Sequence, residues 1–325
     1  MEILVNTYGT KLRTKGQRVK IITPDKKEQY ISSRAIDKVI VNGAASVSTG
    51  VLALAQEHNF DLIFMNNLGK PIGRFVPYNS YGTPELRYAQ TIFCKSDLAV
   101  MLAKKLIISK GTQQQKFLEK INKEYDLRIE KEIAQMKQTV KTLQEGSFDK
   151  QEVLGYEGSL ANIYFDSLRK IIPFGKRGKD AKDLFNAGLN YGYAIVYSEV
   201  EKACMISGLD TTLGFLHGER YGKRPLVFDL MEEFRVEFVD QVICQLFLTN
   251  KLKRKEGVIE GYLLTKREKI LVAQGVLDKM HHTYVCNKET LLGKGLIKNR
   301  VKEVCSLFSK MEVESFRNLE IEHEK

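Results

Sequence analysis

The sequence predicts an α+β protein in two parts, an N-terminal β-sheet domain with one short helix followed by a large all-α C-terminal domain. Three observations predict it. Residues 1–76 alternate apolar and polar positions with period two, as half-buried strands do. The stretch PYNSYGTP, residues 77–84, gathers two prolines, a glycine, Asn79 and Ser80, turn formers that mark a linker. Across 85–325 the apolar residues recur at three and four, and strand text almost disappears.

In the first domain EILVN, RVKIIT, EQYISS, KVIVN and DLIFMN read as short strands, because Ile and Val pack well on a pleated surface. LRTKGQRVKII carries a hairpin signal at Lys15-Gly16, and SVSTGVLALAQEHNF reads as a short helix with a Ser N-cap. His58 at that helix's end suits an imidazole satisfied by the helix dipole.

Behind the linker, ELRYAQTIFCKSDLAVMLAKKLIISK and QQQKFLEKINKEYDLRIEKEIAQMKQTVKTLQ read as long amphipathic helices. In VLGYEGSLANIYFDSLRKII the apolar face runs Val153, Tyr156, Leu160, Ala161, Tyr164 and Leu168, and Glu157 falls inside it. Gly155 and Gly158 flank this acid and leave room for a backbone or ligand to come close. Tyr156, Tyr164, Tyr191 and Tyr193 have helical spacing and read as core. A further helix starts near Pro225 with Asp229, Glu232, Val236, Val239 and Ile243 along one side. On the other side Glu233, Glu237 and Asp240 form a row that reads as a solvated face. His281 and His282 are adjacent, share no helix face, and read as exposed.

With 325 residues, 43% apolar and 28% charged, the chain has the composition of a soluble globular protein. No apolar run approaches the roughly 18 residues of a membrane span, and no signal-peptide pattern follows Met1-Glu2, so a cytoplasmic protein with no membrane partner is expected. Five scattered cysteines without a C-x-x-C pair read as core thiols. The net charge of +11 favours a polyanion, nucleic acid first, although a lysine-rich surface also serves solubility. Basic clusters that offer phosphate contacts are Lys176-Arg177-Lys179, Lys223-Arg224, Lys251-Lys253-Arg254-Lys255 and Lys298-Arg300-Lys302. Arg224 stands out among them because it lies between His217 and Asp229.

Asp229 and Glu232 head an apolar stripe, where a carboxylate costs several kcal/mol unless a cation meets it. Together with Glu157 and the solitary His217 of GFLHGER they make a set that can converge on a divalent cation. Oxygen ligands with one imidazole suit Mn²⁺ or Mg²⁺ better than zinc. A metal-free alternative is that Arg169, Arg224 or Arg235 neutralises these acids.

Four motifs, GYEGSLANIYF, DLFNAGLNYGYAIV, GLDTTLGFLHGER and RPLVFDLMEEFR, stand in this order behind a β-rich N-terminus. The set closely resembles CRISPR-associated protein 1, the spacer integrase of CRISPR adaptation. SVSTGVLALAQEHNF before DLIFMNNLGKPIG, and KKLIISKGTQQQKFL, extend the resemblance over nearly the whole chain. It implies that Glu157, His217 and Glu232 are metal ligands and Asp229 an accompanying active-site acid. Family members often carry Asp at the Glu232 position and proline at Thr211 and Val236. The implied reaction is attack by the 3′-hydroxyl of a short DNA duplex on a phosphodiester of the CRISPR repeat. The implied assembly is a homodimer built through the N-terminal β domains, two such dimers being bridged by a dimer of CRISPR-associated protein 2. A stand-alone structure-selective nuclease and a non-catalytic basic DNA-binding scaffold with salt-bridged acids are the competing expectations.

Overall fold

The computed structural model describes residues 1–42, 44–65, 71–75, 84–178, 183–218, 223–253, 264–286 and 289–314. The chain divides into two compact units, Met1–Tyr81 and Gly82–Lys325. Residues 77–83 of the expected linker lie outside the described residues, and Pro84 opens the first helix of the second unit.

The first unit holds two mixed four-stranded sheets. One runs β1 (Glu2–Val5), β5 (Lys38–Asn42), β7 (Asp61–Met65) and β8 (Pro71–Phe75), the first three parallel and β8 antiparallel. The other runs β4 (Glu28–Ser32), β3 (Arg18–Ile22), β2 (Lys11–Lys15) and β6 (Ser46–Val47). Lys15 pairs with Arg18 across a two-residue turn whose Gly16 has φ +55°, so the hairpin forms where the Lys15-Gly16 signal places it. Alternation works here because one strand face is buried: Leu12, Val19, Ile31, Val39 and Leu62 share a core with Val51 and Ala55 of α1 (Thr49–His58). Ser48 takes the N-cap position but makes no side-chain cap bond; its amide donates to the Leu12 carbonyl instead. His58 Nε2 lies 2.7 Å from Gln17 Oε1, a structural role.

The second unit is helical: α2 (Pro84–Cys94), α3 (Asp97–Tyr125), α4 (Glu130–Glu145), α5 (Lys150–Arg169), α6 (Leu184–Ile206), α7 (Pro225–Met231), α8 (Gln241–Leu248), α9 (Lys266–His281) and α10 (Gly293–Lys310). A hairpin of β9 (Thr283–Cys286) and β10 (Glu289–Leu292) joins α9 to α10, strands too short to break the helical text. Helix α3 runs unbroken through Gly111, where a Cβ would stand 2.9 Å from Leu160 and 3.0 Å from Val140. The missing side chain therefore lets α3 lie close to α4 and α5. Helix α5 opens on a full capping box, Asp149 accepting from Gln151 and Glu152 amides while Glu152 accepts from the Asp149 amide.

The segment behind Pro225 is the centre of this unit and corrects one expectation. Helix α7 tightens into a 3₁₀ turn at Glu232–Phe234 and widens into a π turn at Val236–Asp240 before α8. Glu233, Glu237 and Asp240 are not a solvated row; all three are buried. Each is met by a donor from a distant helix: Arg300 of α10 on Glu233 at 2.8 Å, Lys279 of α9 on Glu237 at 2.6 Å, and the Tyr193 hydroxyl of α6 on Asp240. Charge periodicity on one helix cannot register such partners, and so a buried polar face reads as an exposed one. Tyr164 and Tyr193 are core, Tyr156 and Tyr191 are half-buried, and His281 and His282 are exposed. All five cysteines are thiols outside any disulfide. Among the described residues no helix is long and apolar enough to cross a membrane.

Candidate metal centre

Three elements of the helical unit bring the site together. Helix α5 carries Glu157, the loop after α6 carries His217, and the turn after α7 carries Glu232. One potential ligand atom from each of Glu157, His217 and Glu232 lies within 4.8 Å of the other two.

Asp229 is fully buried and spends both oxygens on the His217 loop. Its Oδ2 accepts the Phe215 and Leu216 amides at 2.7 and 2.9 Å, and its Oδ1 accepts the His217 amide at 2.9 Å and meets His217 Nδ1 at 2.7 Å. Gly214 permits the close approach, since a Cβ there would stand 2.6 Å from Pro225 and 2.9 Å from Asp229 Oδ2. A carboxylate on Nδ1 selects the tautomer with its proton there and leaves Nε2 as the donor nitrogen. Asp229 is thus a positioning residue that acts through His217. Burial alone lowers the His217 pKa, but the Asp229 hydrogen bond and the charges of Asp229, Glu232 and Glu157 outweigh it and hold the ring above its ordinary value.

Glu232 is 1% exposed. Burial pushes its carboxyl up, yet Arg235 and Lys110 override that and bring it to about 2. Arg235 Nη2 lies 2.8 Å from Glu232 Oε1, and Lys110 Nζ lies 2.6 Å from Oε2 and 2.8 Å from Glu157 Oε1. The Lys110 contact to Oε2 is close in charge but poorly aligned, and Oε2 has no hydrogen-bond partner of good geometry. Burial works against the Lys110 ammonium, while the carboxylates of Glu232 and Glu157 stabilise it and raise its pKa overall.

Sequence reasoning missed Lys110. It stands in the buried stripe of α3 with Leu106, Gln114, Phe117 and Ile121, and a lysine in that stripe is the signal that marks it. Of the three arginines suggested as counter-charges, only Arg235 meets a site acid. Arg169 pairs with Asp166, and Arg224 with Glu201 at 2.8 Å and with the Thr211 hydroxyl. Gly155 and Gly158 adjoin open space, with nothing within 4 Å of a Cβ at either.

The basic candidates separate by position. Arg177 lines a cavity of about 250 Å³ together with Lys110, Glu157, Arg235 and Asp240. It also faces the Tyr193 and Phe165 rings at 5.4 and 5.8 Å. A groove of about 710 Å³ along α5, lined by Gly158, Asn162, Arg169, Lys176 and Arg177, adjoins that cavity. Lys223 and Lys253 are exposed, and Arg254 lies outside the described residues. Arg300 is corrected: it is 4% exposed and held between Glu233 and Glu303, so it is a buried counter-ion and not a phosphate contact.

Two carboxylates and one imidazole nitrogen, all partly or fully shielded from water, fit a divalent ion of the Mn²⁺ or Mg²⁺ kind. Comparison with known proteins bears on what such a centre serves. The family described as CRISPR associated protein Cas1 matches residues 3–275. The CRISPR-associated endonuclease Cas1 1 of Francisella tularensis subsp. novicida is 30% identical over 319 residues, spanning 94% of this chain and 95% of its own. A casposase bound to its integration product superposes with a TM-score of 0.80 at 22% identity, covering 96% of this chain and 91% of the other. A Cas6-RT-Cas1–Cas2 complex superposes with a TM-score of 0.79 at 18% identity, over 98% of this chain and 36% of that one.

Proposed function

Because the chain belongs to the Cas1 family of CRISPR-associated proteins, we propose that it is a divalent-metal-dependent DNA integrase and endonuclease of CRISPR adaptation. It joins the 3′-hydroxyl ends of short duplexes, the new spacers, into the repeat array by transesterification. The observation that carries this reading is the convergence of Glu157, His217 and Glu232. These three would hold Mn²⁺ or Mg²⁺. An ion there would supply Lewis-acid stabilisation of the charge developing on a phosphodiester and a lowered pKa for the attacking hydroxyl.

The chain's own residues do the rest by position. Asp229 fixes the His217 ring with Nδ1 committed, so Nε2 is the nitrogen left for a metal. Arg235 orients Glu232 and keeps it ionised. Lys176 and Arg177, on the groove beside Glu157, hold phosphates of the incoming strand without reading its sequence. No covalent enzyme intermediate is needed, since alignment of a 3′-hydroxyl with the phosphodiester suffices. With water in place of that hydroxyl the same site cleaves.

Double-stranded DNA, a second copy of the chain docked through the β unit, and CRISPR-associated protein 2 complete the reading; a solved Cas6-RT-Cas1–Cas2 assembly of similar fold supports the last of these. The two ion pairs of Lys110 favour a different reading, a non-catalytic DNA-binding scaffold with salt-bridged acids. A scaffold gives no reason for a buried Asp229 that orients His217. One assay separates them: strand transfer of a short duplex into a repeat-bearing supercoiled plasmid, with the partner protein, in Mn²⁺, Mg²⁺ or EDTA. Metal-dependent joining lost in His217→Ala supports the integrase. Tight DNA binding by folded protein without joining in any metal leaves the scaffold, and cleavage without joining leaves the stand-alone nuclease.

A further inference from the structure

Lys110 places a cation where the proposed metal belongs. Its ammonium touches one oxygen of Glu157 at 2.8 Å and one of Glu232 at 2.6 Å, and Arg235 already takes the other Glu232 oxygen at 2.8 Å. A divalent ion bound to both carboxylates finds each Glu232 oxygen already met, by Lys110 or by Arg235, and two cations in contact within a shielded site repel strongly. Lys110 must therefore leave when the ion arrives. The structure also holds a place for it to go. Gln114 lies one turn further along the same face of α3, and its buried Oε1 has no hydrogen-bond partner among the described residues. Lys110 and Gln114 line the same cavity of about 250 Å³, which the Asp240 carboxylate also faces. A buried unpaired acceptor costs stability, so one set a single helical turn from a charged donor on the same face points to use in another state.

We propose that Lys110 is a resident counter-cation with two positions: bridging Glu157 and Glu232 in the metal-free protein, and turned into the adjoining cavity onto Gln114 when a divalent ion binds. The inference rests on the metal-centre reading above and adds to it. Lys110 keeps the acid pair together before the ion arrives, and the ion's apparent affinity is set by how rarely the lysine vacates the site. It is a positioning residue, acting on the two carboxylates.

The test is calorimetric titration with Mn²⁺ of the full chain, as wild type, His217→Ala, Lys110→Met and Gln114→Leu, together with thermal melting in EDTA. A metal-competent state populated at about 10% or less implies a Kd at least about tenfold lower once the competitor is gone. Lys110→Met is expected to show that tightening and a lower melting temperature in EDTA. Gln114→Leu is expected to melt at or above the wild-type temperature in EDTA, because it deletes an unpaired acceptor, and to bind Mn²⁺ several-fold more weakly. It decides the matter even if Lys110→Met fails to fold without metal. Mn²⁺ binding that depends on His217 but is unchanged or weakened in Lys110→Met, or unchanged in Gln114→Leu, overturns the counter-cation and leaves the metal centre standing. Wild type that shows no His217-dependent Mn²⁺ binding removes the metal centre, and this inference with it.

Discussion

Replacing Asp229 by Asn tests the buried carboxylate beneath the metal centre. Asp229 accepts three backbone amides and the His217 ring through two oxygens. Asparagine retains one acceptor oxygen and turns the other position into an NH₂ group, which faces either two loop amides or the His217 donors. Two of the four bonds are lost whichever way it flips. Hydrogen bonds to a charged group contribute about 1.5–3 kcal/mol each, so the expected destabilisation is about 3–6 kcal/mol. For a unit of this size, roughly 2–4 °C per kcal/mol makes a fall of at least about 6 °C in EDTA. Because the charged partner of the His217 ring is gone in either orientation and its loop has lost two bonds in one of them, Mn²⁺ affinity is expected to drop about 10–100-fold, the usual cost of removing an outer partner of a ligating histidine. Differential scanning calorimetry and Mn²⁺ titration read both effects. A melting shift under about 2 °C with unchanged Mn²⁺ affinity refutes the role assigned to Asp229.

Three further outcomes are expected. Arg300→Met removes a buried counter-charge of Glu233 and costs about 3–5 kcal/mol in urea unfolding; a mild loss of stability with a clear loss of DNA affinity restores Arg300 as a phosphate contact. Burial pushes the Asp240 carboxyl up to about 6, so the folded state binds the proton more tightly than the unfolded chain. Its contribution is fully favourable below the unfolded value near 4 and is lost as pH rises through about 6, a change of order 3 kcal/mol that Asp240→Asn removes; equal pH slopes in the two proteins contradict it. Gly158→Ala meets open space, so it raises helix stability by about 1 kcal/mol; a loss of stability shows that something packs there.

Much of the fold was legible because one-sided burial leaves a period in the text. Leu12, Val19, Val39 and Leu62 alternate inward, and the strands around them read directly. Strand β6, two residues long, and β8, whose PIGRF carries a proline and a glycine, leave no such trace. The acids of the centre were legible for a related reason: Glu157, Asp229 and Glu232 interrupt apolar stripes, and an interruption asks for a partner. Lys110 interrupts a stripe too, but within lysine-rich text it passes for an ordinary helix face. Glu233, Glu237 and Asp240 were misjudged because their partners, Arg300, Lys279 and Tyr193, come from other helices. Periodicity records which way a residue points; the charge that meets it is set by tertiary packing.

The central claim is that Glu157, His217 and Glu232 hold one divalent ion. Anomalous diffraction from crystals grown with Mn²⁺ tests it most directly. The expected result is a single manganese peak at bonding distance from His217 Nε2 and one oxygen each of Glu157 and Glu232. Manganese bound elsewhere, with the Lys110 ammonium still bridging Glu157 and Glu232 at saturating Mn²⁺, contradicts it.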